Sequence, residues 1–395
     1  MNSADSLFAF FVAFFAIEMF YQVFFFSRFA FLKKNNFSAE NKDDHLDWPG
    51  VSVVICARNE AENLLEHLPK IFDQAYKNFE VIIVNDCSID DTEDVLRAFK
   101  NKHKNCKIVL LKENDLFIGG KKFALTMGIK AAKNDIILFT DADCVPASEN
   151  WIESVARSMV KRQSAATEME IKAGKNPDSK IELAIGYGAY KKEKSLLNAL
   201  IRFDAFSIGL RSFSFALAGL PYMGVGRNLC YRKSFFFRNK GFASHQHIPY
   251  GDDDLFVNET ANGNNTAIFD PLKGKTISIP EKTFKDWVKQ KKRHLSTSPN
   301  YKLFHQVLLG IQPLARIFFI VTFVALIILN YNFGLIAVVF IASMLMQFIN
   351  FHQSMKRMGE SDLLFLAPFL EIILLFIYPA IWFAGVTAKK KSKYW

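Results

Sequence analysis

The chain has 395 residues, 50% of them hydrophobic and 22% charged, with a formal net charge of +10. That is too apolar for an ordinary soluble enzyme and too charged for a protein lying wholly inside a membrane. Five cysteines with no CxxC pair argue against a zinc site or a disulfide frame. The basic surplus flanks apolar runs and accompanies no nucleic-acid-binding motif, which argues against nucleic acid as a partner.

The apolar residues are clustered. From Leu7 to Leu32 only Glu18 and Arg28 carry charge. A membrane helix needs about 20 mostly apolar residues. No basic residue precedes this long stretch, so residues 1–34 read as a membrane anchor rather than a cleaved leader. Residues 35–50 are polar and end in Trp48-Pro49-Gly50, a linker. Three further apolar runs, Ile317 to Leu329, Phe333 to Phe351 and Leu363 to Ala388, make residues 303–395 a second membrane region with a basic tail. Between the two regions lies a domain over 51–302.

An alternating pattern opens that domain. Strands are predicted at Val51–Cys56, Phe79–Val84, Lys107–Leu111 and Ile136–Phe139. Helices are predicted at Glu60–Gln74, Asp90–Lys100 and Lys121–Lys133. Short apolar strands alternating with helices indicate an α/β, Rossmann-like, mostly parallel sheet. Such sheets bind ligands beyond the carboxyl ends of their strands. Past Trp151 the pattern loosens, so 51–150 and 151–302 read as two halves. Leu196 to Leu220 is apolar but holds Arg202, Asp204 and Arg211, and reads as an amphipathic segment lying on a membrane surface.

Polar residues follow the strands: Ala57-Arg58-Asn59-Glu60 after the first, Asn85-Asp86-Cys87-Ser88 after the second, and Thr140-Asp141-Ala142-Asp143 after the fourth. Each alone is an ordinary loop or helix cap. Together they line one edge of one sheet. The pair Asp141 and Asp143 poses a specific problem, because neighbouring carboxylates repel and resist desolvation.

The successive segments VSVVICARNEAENL, VIIVNDCSIDDT, GGKKFALTMGIKAA and IILFTDADCVP, with GVGRNLCYRKS, GDDDLF and QKKRH further on, resemble the signatures of family-2 glycosyltransferases of the GT-A fold. The resemblance implies transfer from a nucleotide-diphosphate sugar, with UDP-sugars favoured. It implies nucleoside contacts from Ala57, Asn59, Glu60 and Asp86, although Asn85 departs from the family's usual Asp. Asp143 would be the principal ligand of Mg²⁺ or Mn²⁺, with Asp141 beside it, because hard oxygen donors suit these ions. That cation and a diphosphate would reconcile the two carboxylates. Lys121 would pair with Asp86 or a phosphate, and Lys122 reads as surface charge. Asp252, Asp253 and Asp254 supply the base of an inverting transfer, Asp253 foremost and Asp254 next. In QKKRH, Arg293 would bind the diphosphate and Gln290 the acceptor or donor. His294 replaces the tryptophan that forms the sugar platform of processive synthases. His245 and His247 are further possible metal ligands.

The membrane regions point to a lipid or lipid-linked acceptor. The alternatives are a processive polysaccharide synthase and a non-catalytic nucleotide-binding membrane protein. Nucleotide sugars are cytosolic, so the reading is an integral cell-membrane protein with a cytosolic catalytic domain. Four simple spans would then put Lys389 to Lys393 outside, against the positive-inside tendency. One C-terminal run is therefore expected to be interfacial or re-entrant.

Overall fold

The computed structural model describes residues 3–33, 48–112, 120–160 and 180–391, with side chains to Trp382. Most of the predicted linker, and Lys34, lie outside the described residues.

Four strands, β1 (Val51–Ala57), β2 (Phe79–Asp86), β3 (Cys106–Leu111) and β4 (Ile136–Asp141), form a continuous parallel block of the main sheet. Val, Ile and Leu fill them because both faces are covered, and every residue of β2 is buried. Helices α1 (Ser3–Ala30), α2 (Ala61–Phe72), α3 (Thr92–Lys102) and α4 (Lys121–Ala131) precede or connect them. The predicted boundaries hold to within about two residues, the usual scatter at element ends. The sheet continues through β8 (Leu229–Arg232), β6 (Leu183–Ile185) and β9 (Thr266–Ile268), giving the order β3-β2-β1-β4-β8-β6-β9. A second sheet joins β5 (Cys144–Pro146), β10 (Thr276–Ser278) and β7 (Gly188–Tyr190). Its strands lie just beyond the end of β4 and carry the chain under the site.

The remaining helices are α5 (Trp151–Val160), α6 (Leu196–Leu217), α7 (Lys233–Arg238), α8 (Asp254–Thr260), α9 (Phe284–Leu295), α10 (Leu303–Ile328), α11 (Phe333–Met358) and α12 (Ala367–Lys391). Helix α6 corrects the sequence reading. It is not a surface helix: most of its residues are buried, Arg202 and Asp204 included. Arg202 donates to Glu360 at 3.0 Å and to Asp362 at 2.8 Å in the connection after α11. Asp204, fully buried, pairs with Lys291 of α9 and accepts the Tyr378 hydroxyl of α12. Partners supplied from distant segments let the charges leave water.

Among the described residues, three helices, α1, α10 and α11, are long and apolar enough to cross a membrane. They pack through stacked rings: Phe11 on Phe319 at 4.9 Å and Phe323 on Phe340 at 4.0 Å. The catalytic-domain end of α1 is drawn into the main core, where Phe25 stacks on Phe215 at 4.3 Å and the Tyr21 hydroxyl donates to the Leu308 carbonyl.

Candidate active site

The register Ala57↔Asn85 and Cys56↔Asp141 brings the carboxyl ends of β1, β2 and β4 to one edge. Lys121, the first residue of α4, reaches across this edge. Its ammonium lies 2.8 Å from Asp141 and 3.7 Å from Asp252. Of the two expected partners, Asp86 is buried at the end of β2, and the carboxylates that Lys121 meets are Asp141 and Asp252 instead. A pocket opens between these groups, walled by Lys121 and Asp141 on one side and by Gly226, Asp252 and Asp253 on the other.

The two carboxylates at the end of β4, Asp141 and Asp143, are not equivalent. Burial raises both, but Lys121 more than offsets it at Asp141, whose pKa lies below the usual value. Asp143 is raised, first by burial and then by the charge of Asp141. Asp143 thus lacks the cationic partner that Asp141 has. Among the described residues, Asp141, Asp143 and Cys144 bring possible ligand atoms within 4.8 Å of one another. The Cys144 sulfur lies 2.9 Å from the Ser278 hydroxyl, and burial pushes its thiol well above the ordinary range. A protonated, engaged thiol is a poor ligand. The remaining pair of hard carboxylate oxygens fits Mg²⁺ or Mn²⁺. His67 hydrogen-bonds the intervening Ala142 carbonyl at 3.0 Å and so fixes the turn.

The three acids before α8 are separated by their surroundings. Gly251, with φ of +93°, swings the chain into them. Asp254 is fully committed: one oxygen accepts from Thr297 and Tyr301, the other from the Leu255 N–H at 2.7 Å. Asp253 accepts backbone N–H bonds from Gly226 and Asp254, each 2.7 Å long. A Cβ at Gly226 would lie 3.3 Å from the Asp253 carboxylate, closer than nearly all such contacts. Burial, followed by the charges of Asp252 and Asp254, pushes the Asp253 carboxyl up to about 7. The pocket therefore holds Asp253 and Asp252, while Asp254 faces the start of α10.

Beside the ends of β1 and β2, Asn59 adopts φ of +57° and its carboxamide oxygen accepts the Ile89 N–H at 2.9 Å. The Glu60 N–H donates to Thr92, and the Glu60 carboxylate accepts from Asn63 at 2.6 Å. Asn59, Glu60 and Asp90 line a shallow depression beside the β1 and β2 ends. Asn85 caps the following turn by accepting the Ser88 N–H at 3.1 Å.

Gln290 bridges Tyr190 and Glu281, whereas Arg293 is exposed at the end of α9, outside the pocket. His245 is turned toward Ser244 and Glu259 rather than toward Asp143, and His247 is exposed. Lys122 is buried and donates to the His245 and Ile248 carbonyls at 2.7 and 2.9 Å, which corrects its reading as surface charge. Arg227 is the residue to which sequence reasoning gave too little weight. It stacks on Tyr190 at 4.2 Å and donates to the Gly188 carbonyl at 2.6 Å. Its charge helps lower Asp141 and partly offsets the rise at Asp143. The only sequence signal was a cation between a glycine and an asparagine in a loop.

Residues 52–217 match the family described as Glycosyl transferase family 2. The chain carries a family-2 glycosyltransferase domain. A poly-beta-1,6-N-acetyl-D-glucosamine synthase of Staphylococcus epidermidis is 35% identical over 26% of this chain and 24% of its own length. WfaP of Escherichia coli, a UDP-Glc:alpha-D-GlcNAc-diphosphoundecaprenol beta-1,3-glucosyltransferase, is 36% identical over 24% of this chain and 35% of its own. The chain spans between 24% and 60% of the length of the first curated relatives it matches. The solved mannosyltransferase PcManGT of Pyrobaculum calidifontis, in complex with GDP-Man and Mn²⁺, aligns over 93% of this chain and 99% of its own. The TM-score is 0.51 at 16% identity, a likeness of fold. The glycosyltransferase domain accordingly has the GT-A architecture.

Proposed function

We propose that the chain is a membrane-bound, metal-dependent, inverting glycosyltransferase that moves a sugar from a nucleotide-diphosphate sugar to a lipid or lipid-linked acceptor. The observation that carries this reading is the single pocket in which Lys121 and Asp141 face Asp252 and Asp253.

The nucleoside would lie along Asn59, Glu60 and Asp86, with its diphosphate toward Asp141 and Asp143. Those two carboxylates would hold the divalent cation, which when bound supplies charge stabilisation to the diphosphate leaving group. Arg227 and Lys121 add fixed positive charge beside it. Asp253 takes the proton from the acceptor hydroxyl as that oxygen bonds to the anomeric carbon. The bond from this carbon to the diphosphate oxygen breaks, and the nucleoside diphosphate departs with the electron pair. A carboxyl near 7 suits a base working near neutral pH. Asp252 holds Lys121 in place, and Asp254 anchors the loop. Arg293 would turn toward the diphosphate when donor fills the cleft.

The three apolar helices support membrane association, and at a membrane the domain would meet a lipid-linked acceptor of the kind named for WfaP. The catalytic domain would face the cytosol, the source of nucleotide sugars. The likeness to a polysaccharide synthase favours a processive reading as well. Against it stands His294 in the position of the platform tryptophan.

Purified protein would be offered a panel of nucleotide-diphosphate sugars with membrane lipid extract and Mn²⁺ or Mg²⁺. Metal-dependent release of nucleoside diphosphate, lost in Asp143→Ala and Asp253→Asn, is the expected result. A single-sugar lipid product supports the proposal, and a long product would replace it with the synthase reading. A folded protein that binds no nucleotide would refute both.

A further inference from the structure

The last helix differs from the three long apolar ones. Helices α1, α10 and α11 run beside one another over their length. At one end Phe8 stacks on Tyr331 at 5.2 Å, and the Tyr331 hydroxyl reaches Asp5. Toward the other end lies a polar layer. Arg316 of α10 is bonded to Gln347 of α11 and, at 3.0 Å, to Glu371 of α12; Gln347 donates to Glu371 at 2.7 Å. Glu18 of α1 faces Arg316 at 4.0 Å, and Asn350 donates to Gln22 at 2.8 Å. At 1.5 Å per residue this layer stands about 18–22 Å from the far ends of the three helices. A hydrocarbon core about 30 Å thick would put it some 10 Å below the surface nearer the catalytic domain.

Helix α12 meets α10 and α11 at this layer, then follows the catalytic domain. Tyr378, seven residues or about 10 Å past Glu371, donates to Asp204 of α6, which is paired with Lys291 of α9. The helix packs along both α6 and α9. A helix leaving the polar layer to cross the bilayer would carry Tyr378 away from these groups.

Its two faces fit that course. Ala367, Leu370, Leu374 and Ile381 are buried against the protein. The opposite face, Phe369, Ile372 and Phe376, presents large apolar groups, with Phe369 and Phe376 exposed to 69% and 73%, and Phe365 in the turn before the helix is exposed as well. This face continues the exposed apolar surface of α10 and α11, and in sequence the helix runs into Lys389, Lys390 and Lys391.

We infer that α12 does not cross the membrane but lies in the plane of the leaflet on the catalytic-domain side, with its Phe369-to-Phe376 face in the acyl chains of that leaflet. The described residues then cross three times, and α12 stays on the catalytic-domain side of the membrane. Lys33, Lys356 and Arg357 gather at the same end, and Arg357 donates to the Ala30 carbonyl at 3.0 Å. The charge conflict of a four-span layout disappears. The inference is independent of what the domain transfers.

The test uses full-length protein in phosphatidylethanolamine–phosphatidylglycerol vesicles, with Cys56→Ala and Cys87→Ala removing the two partly exposed thiols. Single cysteines replace Phe369, Ile372 and Phe376 in turn and carry spin labels whose depth is read from oxygen and nickel-chelate relaxation. An in-plane helix gives three equal depths in one leaflet, whereas labels at Val321, Val324 and Ile328 on α10 change depth steadily. A steady change along α12, about 1.5 Å per residue, would overturn the inference. A C-terminal epitope tag on the unsubstituted chain gives an independent answer. Protection shared with the catalytic domain supports the in-plane helix, and protection shared with the Asn330 turn rejects it.

Discussion

Lowering the pH should silence transfer through one carboxyl. Asp253 is lifted to about 7, first by burial and then by the charges of Asp252 and Asp254; Lys121 and the Asp254 N–H pull the other way. The proton acceptor is the carboxylate, so the competent form exists above that value and is lost as pH falls through it. With one group titrating near 7, kcat/KM should drop roughly tenfold for each pH unit below it, to roughly a tenth at pH 6. Asp253→Asn should lower the rate by about 10²–10⁴ and erase the limb. Asp252→Asn supplies the control of sign. It removes one charge that raises Asp253, so its acid limb should move to lower pH even if its rate is reduced. The assay is nucleoside diphosphate release at subsaturating donor, where kcat/KM reports the free enzyme, across about pH 5.5 to 8.5 at constant ionic strength. A flat wild-type profile, or an Asp253→Asn enzyme that keeps the same limb, would refute the assignment of this base.

Three further outcomes follow from the geometry. Chelation of divalent cations should abolish donor binding measured by calorimetry, because Asp143 then faces the negative charge of Asp141 without a cation; added Mn²⁺ or Mg²⁺ should restore it. Lys122→Met leaves two buried carbonyls without their donor and should cost about 1–3 kcal/mol in thermal unfolding, with the loop before Asp252 more open to proteolysis. Asp204→Ala strands Lys291 in the core and should cost about 3–5 kcal/mol. Adding Lys291→Met should recover part of that loss, and no recovery would mean the two residues act separately.

The parallel half of the sheet was legible because its strands are buried on both faces and read as unbroken apolar runs, such as Val51 to Cys56. The strand-end residues followed from the same pattern, since parallel strands point their carboxyl ends one way. The second half was opaque for a different reason. Strands β6, β7, β9 and β10 are three residues each, too short for any periodicity to show. Helix α6 misled because charge inside an apolar run reads as a solvated face. Its charges are instead met by residues 158 positions away for Arg202 and 174 for Asp204, pairings no local window contains. The same holds for Lys122, whose acceptors are carbonyls more than 120 positions on. Which of three adjacent aspartates faces the pocket depended on Thr297 and Tyr301, and nothing in the triplet itself distinguishes them.

That last detail explains why the chain spends an acid on structure. Asp254 accepts from Thr297 and Tyr301, which lie between α9 and α10. Asn258, one turn further along α8, accepts the Lys302 N–H at 2.9 Å and lies 2.9 Å from His305 in the first turn of α10. The helix that begins at the proposed base is thus bonded to the helix that enters the apolar region. On the other side of the pocket, Gln290 of α9 touches Tyr190, and Tyr190 carries Arg227 beside Asp141 and Asp143. Helix α9 is in turn held to α12 through Lys291, Asp204 and Tyr378. Both walls of the site are therefore referenced to the apolar helices rather than to the soluble sheet alone. A reaction whose acceptor is confined to a leaflet gains from this arrangement. The hydroxyl arrives at a depth set by the lipid, and the base and leaving-group sites stand at a fixed distance from that same surface, so part of the orientational cost of bringing two substrates together is met before either binds.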